Sequence, residues 1–339
     1  MKNHISLFIF AIALLSGPVS ANDLSMTAVK DTLASIPGEH NYIYVRTPLG
    51  EDEEKNYDEI TFYDGLGREL DFAQSYGADR AGAIMAHHHL IEYDSLGRKE
   101  KQWLSTNTSF SYMSPEDLKG GVLWDYHDAG KRSYLQTNYE SSPLNRITEQ
   151  YGVGDAWGDH PARMEYLTNI PADSLRCSFY FIDDNDSLIR RGDYRSGELQ
   201  VTKATDEDGK PTYTFVDKQG RTLLTRLGRG NQQADTYFVF DRFGRIRYVL
   251  PPMINDEISA GNLDLYAYQY LYDSFGRCIS KKLPGCAAIG YVYDKADRVI
   301  LSQNGNQSQK KEWTFTFYDN QGRLALTGLC SFNDPPSLD

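Results

Sequence analysis

The sequence predicts an all-β fold: repetitive antiparallel hairpins forming a β-solenoid or partial β-shell. Three observations carry this. Six times the chain spells an aromatic or β-branched residue, then Asp, two variable residues, Gly and Arg. An apolar or alternating run follows several of these arginines, among them Thr222-Leu223-Leu224, Ile246-Arg247-Tyr248-Val249, Val299-Ile300-Leu301 and Leu324-Ala325-Leu326. The 339 residues also include 24 Tyr and 28 Gly, the aromatics and turn glycines that a hairpin repeat consumes. A spelling that recurs this often is architecture before it is chemistry.

Residues 1–21 read as a signal peptide. Lys2 gives the positive start, residues 5–15 the apolar stretch, and Val19-Ser20-Ala21 a small-residue cleavage site. The apolar stretch is too short to cross a bilayer, no Cys at its end suggests a lipid anchor, and no later segment predicts a transmembrane span. An exported chain, secreted, periplasmic or surface-associated, is the expectation. Residues 22–55 form a lead-in segment, 56–215 an N-terminal β domain with degenerate repeats, 216–330 the repeat region proper, and 331–339 a tail.

The repeats begin with Tyr63-Asp64-Gly65-Leu66-Gly67-Arg68 and Tyr93-Asp94 through Gly97-Arg98. They resume with Val216-Asp217 to Gly220-Arg221, Phe240-Asp241 to Gly244-Arg245, Tyr272-Asp273 to Gly276-Arg277, and Tyr318-Asp319 to Gly322-Arg323. A seventh copy, Tyr293-Asp294-Lys295-Ala296-Asp297-Arg298, has Asp in place of Gly. From Arg221 onward the arginines are 24, 32, 21 and 25 residues apart, which suits one hairpin per unit with loops of varying length. Between Arg98 and Arg221 the spelling decays, leaving candidate turns at residues 127–131, 195–198 and 206–210.

Each spelling has a physical reason. Tyr, Phe and Val close a strand because they fit a pleated, half-buried surface. Asp bonds the backbone two residues on and so starts a turn. Gly accepts the positive φ of a type I turn with a bulge, and Asp297 tolerates that region better than most residues. Hairpins that touch chiefly their neighbours make a fold stabilised by stacking.

Composition excludes some functions. Removing residues 1–21 takes away Lys2 and no acid, moving the formal charge from −12 to −13. That balance argues against nucleic acid, whose phosphates need a basic face, and against anionic lipid. Cys177, Cys278, Cys286 and Cys330 form no Cys-x-x-Cys. A Cys278–Cys286 disulfide across a hairpin is open, but four small buried hydrophobes is the favoured reading.

No cofactor, metal or catalytic centre is expected. His87-His88-His89 alternates across a strand, so at most two of the three could share an ion; a solvated loop or strand end is the reading adopted. The run Asp183-Asp184-Asn185-Asp186 reads as a polar turn, because it lacks the spacing and terminal Glu of a calcium loop. No Gly-x-Ser-x-Gly elbow occurs, and Gly152-Val153-Gly154 lacks the Lys of a phosphate loop. A secreted hydrolase would need carboxylates with pKa values pushed apart, and none is indicated. Trp103, Trp124, Trp157 and Trp313 could stack sugar rings, although packing between hairpins is the favoured role.

The Tyr-Asp-x-x-Gly-Arg units resemble the YD repeats of Rhs proteins, found in bacterial polymorphic toxin systems and in animal teneurins. The segments Tyr139-Glu140-Ser141-Ser142-Pro143-Leu144-Asn145-Arg146, Gly154-Asp155-Ala156-Trp157 and Tyr166-Leu167-Thr168-Asn169 are similar to the uncharacterised N-terminal domain of Rhs-type proteins of the Bacteroidetes. Further on, the stretch from Asp235-Thr236-Tyr237 to Tyr248-Val249-Leu250-Pro251-Pro252 and the run from Tyr291 to Arg298 are similar to that family as well. The resemblance covers roughly residues 40–330. It implies a ribbon of repeats spiralling into a hollow shell, which in toxin members encloses a C-terminal effector. The core and self-cleavage site that close such shells are missing after Arg323, so the chain reads as an N-terminal portion with a truncated tail. Its implied partners are the remainder of a longer Rhs protein or an effector. The expected function is an exported, non-catalytic scaffold in contact between bacteria, with an adhesin-like module for surface glycans or a protein as the alternative.

Overall fold

The computed structural model describes residues 40–331 apart from 49–55, 79–83, 128–129, 229–232 and 255. The signal peptide at 1–21, most of the lead-in segment and the tail from 332 lie outside the described residues. The chain divides into two compact units between Arg163 and Met164. Both are built almost entirely of antiparallel strands.

The first unit starts with four sequential strands, β1 (Asn41–Pro48), β2 (Asn56–Tyr63), β3 (Glu69–Ala78) and β4 (Ile84–Tyr93), each paired antiparallel with the next. β4 is long enough to carry two strands end to end on its far side. β6 (Thr106–Ser109) pairs with Met85–His88, and β5 (Lys99–Trp103) pairs with Ile91–Tyr93. From β5 the sheet continues through β7 (Tyr134–Tyr139) and β8 (Ile147–Tyr151) to the start of β9 (Ala162–Thr168).

Period-two burial places the core on one face. Asp58, Ile60 and Phe62 point inward from β2, and Asp71, Ala73 and Ser75 from β3. Ile60, Phe62, Ala73, Ala86 and Phe110 form the core, flanked by Tyr42, Tyr44 and Tyr112. Its buried Asp58 is matched by a two-pronged Arg46 contact at 2.7 and 3.0 Å and by the Tyr44 hydroxyl at 2.6 Å. A helix, α1 (Pro115–Asp125), lies within this unit. Ser114 caps it by accepting from the Asp117 N–H, Pro115 opens its first turn, and Leu118 and Val122 form its buried stripe.

The second unit opens with a separate hairpin, β10 (Ser178–Ile182) and β11 (Leu188–Asp193). An uninterrupted antiparallel meander follows: β12 (Gln200–Thr205), β13 (Pro211–Val216), β14 (Thr222–Leu227), β15 (Ala234–Phe240) and β16 (Ile246–Leu250). After α2 (Ala260–Tyr266) it goes on through β17 (Tyr268–Tyr272), β18 (Cys278–Lys282), β19 (Ile289–Tyr293) and β20 (Val299–Gln303). Then α3 (Gly305–Lys310) leads into β21 (Glu312–Tyr318) and β22 (Leu324–Ser331).

The core of this unit joins Cys177, Tyr180 and Leu188, from the β10–β11 hairpin and its approach, to Val201, Tyr213, Phe215, Leu224, Tyr237, Val239 and Leu250 of the meander. Alternation on β13 is strict, with Pro211, Tyr213 and Phe215 buried. Fully burying one such side chain stabilises by about 1.5–3 kcal/mol. No described helix is long and apolar enough to cross a membrane.

Candidate functional site

Asp64 shows how one repeat turn is made. Its N–H donates to the Arg68 carbonyl at 2.8 Å, and the Gly67 N–H donates to the Asp64 carbonyl at 3.0 Å. Oδ1 of Asp64 accepts from the N–H groups of Leu66 and Arg68 at 2.8 and 2.9 Å, while Oδ2 accepts from Arg68 Nε at 2.7 Å. The same carboxylate pattern recurs at Asp94, Asp217, Asp241, Asp273, Asp294 and Asp319, with Oδ2–Nε distances of 2.7–2.8 Å to Arg98, Arg221, Arg245, Arg277, Arg298 and Arg323.

Gly67, Gly97, Gly220, Gly244, Gly276 and Gly322 all have φ between +77° and +87°, and Asp297 takes their place at +60°. Each hairpin also slips by one residue, as where Phe62 pairs with Asp71 but Tyr63 with Glu69. That slip is the bulge which lets a type I turn match strand twist.

These carboxylates are held ionised. The Arg68 N–H, with the Arg68 side chain behind it, keeps Asp64 below the usual carboxylate range. At Asp241 burial pushes the other way, and the N–H and side chain of Arg245 outweigh it.

Six of these seven arginines then reach the strand that leads into the next turn. Arg68 lies over the Tyr93 ring at 4.6 Å, Arg98 over Tyr139 at 4.7 Å and Arg221 over Phe240 at 5.1 Å. Arg245 covers Tyr272 at 4.8 Å, Arg277 covers Tyr293 at 5.1 Å, and Arg298 covers Tyr318 at 5.0 Å. The tyrosine hydroxyls answer by donating to the carbonyl of the residue after that arginine. Tyr93 bonds Glu69 at 2.7 Å, Tyr139 bonds Lys99 at 3.0 Å, and Tyr272 bonds Ile246 at 2.8 Å. Tyr293 bonds Cys278 at 2.8 Å, and Tyr318 bonds Val299 at 3.1 Å.

In three places the arginine Nη1 also donates to the carbonyl of the next turn's acid: Arg98 to Glu140, Arg245 to Asp273 and Arg277 to Asp294. The spelling is thus a turn and a clamp between neighbours. Sequence reasoning finds the turn; the clamp spans 15–42 positions and leaves no local signal.

Further turns use the same device with altered letters. In the longer loop from Glu140 to Arg146, Arg146 grips the Glu140 carboxylate with two 2.7 Å bonds, and Asn145 at φ +54° stands where Gly would. The Arg146 side chain, aided by Ser142, pulls Glu140 down to about 2. Asp183 accepts from the N–H groups of Asn185 and Ser187, with Asp186 at φ +65°, and the Asp186 carboxylate is engaged by Arg247. Asp206 accepts from the Lys210 N–H at 2.7 Å. Gly197 and Gly209 both sit at φ +77° and Gly130 at +70°, although residues 128–129 of that last turn lie outside the description.

His87-His88-His89 lies within β4, not in a solvated loop or strand end, which corrects that expectation. His88 is 1% exposed. Its Nδ1 lies 2.7 Å from Asp71 Oδ2 and its Nε2 lies 3.1 Å from the Ser109 carbonyl oxygen. The inward face of β4 takes this histidine because the Asp71 carboxylate and the Ser109 carbonyl give its ring polar partners. Burial pushes the pKa of His89 down. Among the described residues no three His, Cys, Asp or Glu side chains converge as a metal-holding group.

A polar cavity of about 240 Å³ in the second unit is lined by Tyr180, Arg226, Asp235, Tyr237 and Asp256 among others. Several of its polar groups pair with one another or with nearby carbonyls. Arg226 forks onto Asp235 at 2.6 and 2.7 Å and bonds the carbonyls of Ser174 and Arg176, while the Tyr180 hydroxyl donates to Asp256. All four cysteines are free thiols, Cys177 buried and Cys286 exposed. Trp313 is buried and Trp103 donates to Glu92 at 2.8 Å, whereas Trp124 is 83% exposed and Trp157 46%.

A family model described as a domain of unknown function (DUF6443) matches residues 41–168. No curated protein matches the chain. Solved structures of TcdB2-TccC3 are similar in fold. That of TcdB2-TccC3-Cdc42 aligns at TM-score 0.57 and 14% identity over 88% of this chain. TcdB2-TccC3 itself gives 0.55 and 13% over 88%, and TcdB2-TccC3-TEV gives 0.55 and 13% over 92%. The chain spans only 14–15% of the length of those structures. It is therefore a β-repeat chain with a DUF6443 match over its first unit and a fold shared with a stretch of TcdB2-TccC3.

Proposed function

We propose that the chain is a non-catalytic β-repeat scaffold, an exported Rhs-type segment that works within a larger shell or surface assembly in contact between bacteria. One observation carries this reading. From Arg68 to Tyr318 the recurrent acids and arginines are bound into turns and clamps, so the side chains most able to do chemistry are holding neighbouring hairpins together. The likeness to a short stretch of much longer structures supports membership of an assembly, and the signal-like residues 1–21 support export. Fractionation of native cells tests both. Recovery outside the cytoplasm, in particles larger than one chain, is expected; a cytoplasmic monomer would overturn the proposal.

A second reading, binding of a surface glycan, has Trp124 in its favour, because a ring 83% exposed is a ready stacking platform. Quenching of Trp124 fluorescence by bacterial surface oligosaccharides, abolished in Trp124→Ala, would support it. An unquenched spectrum removes it.

A further inference from the structure

Strand β10 gives one face to the core of the second unit. Tyr180 is buried there, while Phe179 and Phe181, on the opposite face, are only partly buried. The two rings stack at 5.6 Å, and Tyr194, just past β11, meets Phe179 edge-on at 4.8 Å. These aromatics line two adjoining cavities of about 640 and 230 Å³, bounded by the turns at 217–220 and 241–244.

The rim of this groove is charged. Arg191, Arg195 and Lys218 line the larger cavity and Arg242 the smaller. All four residues are exposed, and none has an ion pair among the described residues. In a chain with 47 Asp and Glu against 35 Lys and Arg, four unpaired cations around one groove are not accounted for by the fold, which makes no use of their charge. Acids line the larger cavity as well. Asp193 lies 3.5 Å from Arg190, and Glu198 accepts from the Arg195 N–H at 3.0 Å. Each carboxylate keeps further acceptor sites.

We propose that this groove binds an acidic saccharide. Sugar rings lie flat on Phe179 and Phe181, their carboxylates pair with Arg191, Arg195 and Lys218, and their hydroxyls donate to Asp193 and Glu198. The last pairing separates this ligand from other anions. A DNA strand or a polyglutamate carries a charge on every unit but no hydroxyls, and meets Asp193 and Glu198 as repulsion. Such a site goes beyond the scaffold role. It is also separate from Trp124, which belongs to the first unit.

Isothermal titration of the intact chain with tetragalacturonate, and separately with tetramannuronate, should show saturable binding of at least one, and none of neutral maltotetraose. Arg191→Gln and Arg195→Gln should each weaken binding about tenfold, the loss of one hydrogen bond between charged groups. Phe179→Leu, which keeps an apolar side chain and loses the flat ring, should weaken it too; the exposed arginines keep the test readable if that change disturbs β10. Trp124→Ala should leave binding unchanged. Binding of neither uronate, or binding indifferent to Arg191 and Arg195, overturns the inference. Equal binding of oligothymidylate or polyglutamate would mark a plain charge patch and also overturn it. Loss of binding in Trp124→Ala would move the saccharide to the exposed tryptophan and overturn the groove. The scaffold reading survives any of these failures if the native protein is still found in large extracytoplasmic particles.

Discussion

The Tyr272 hydroxyl donates to the Ile246 carbonyl at 2.8 Å, and the guanidinium of Arg245, one residue earlier, lies 4.8 Å from the centre of the same ring. One side chain therefore serves two neighbours of the preceding turn. Tyr272→Phe keeps the ring and removes the hydroxyl, so it should cost about 0.5–1.5 kcal/mol. Phe240, under Arg221, has no hydroxyl to give. Phe240→Tyr places one where its counterparts reach a carbonyl, and should raise stability by up to about 1 kcal/mol. Urea unfolding of both variants checks the pair, and equal shifts of the same sign would contradict the clamp.

Gly244 tests the turn. A Cβ there would meet nothing nearer than Arg221 Nη1 at 3.8 Å, so space is not limiting, but the φ of +79° is. Gly244→Val should cost about 1–3 kcal/mol through backbone strain. An unchanged melting temperature would show that the turn relaxes.

Acid should act on the turns directly. The Arg146 and Ser142 side chains hold Glu140 at about 2, below its ordinary value of 4.5. A depressed carboxylate contributes stability above its unfolded pKa and loses it as pH falls through the folded one. The stability difference between the native chain and Glu140→Gln should be full at pH 6 and shrink between about pH 4.5 and 2. A constant difference over that window would mean that Glu140 is not gripped.

Arg226 is the fully buried cation of the second unit, forked onto Asp235 and bonded to two carbonyls. Removing one partner of such a pair typically costs about 3–5 kcal/mol, because the other charge stays buried and unpaired. Asp235→Asn should approach that loss, Arg226→Met should lose less because the Asp235 side chain left behind is 25% exposed, and the double variant should lose much less than their sum. Additive losses in the double-mutant cycle would show that the pair is not coupled.

Thiol chemistry separates the cysteines. Cys286 is exposed, whereas burial pushes the Cys177 thiol up to about 12. A maleimide at pH 8 should label Cys286 within minutes and spare Cys177 until the chain unfolds. Equal labelling of the native protein would contradict the packing of β10 against the meander.

The all-β class was legible because Asp, Gly and Arg act within six residues of one another, and a turn needs nothing from further away. The arginine clamp was not, since Arg98 and Glu140 meet only after the strands between them pair. The Glu140–Arg146 turn escaped the spelling because Glu, Asn and two extra residues replace Asp, Gly and the shorter loop. The helices escaped for a different reason. Ser114-Pro115-Glu116-Asp117 is a strong start signal, but with only Leu118 and Val122 buried the apolar periodicity behind it is short. His88 misled through composition: three histidines in a row look solvated, and period two buries the middle one.

The neighbour-to-neighbour clamp has a mechanical consequence. Each Tyr–Arg contact joins one hairpin to the next and to no other, so load applied to the end of the meander falls on one clamp at a time. Stretched from β22 in an optical trap, the second unit should unzip hairpin by hairpin in a series of small rips, whereas the Arg226 region, tied to both the meander and the segment before β10, should part last and at the highest force.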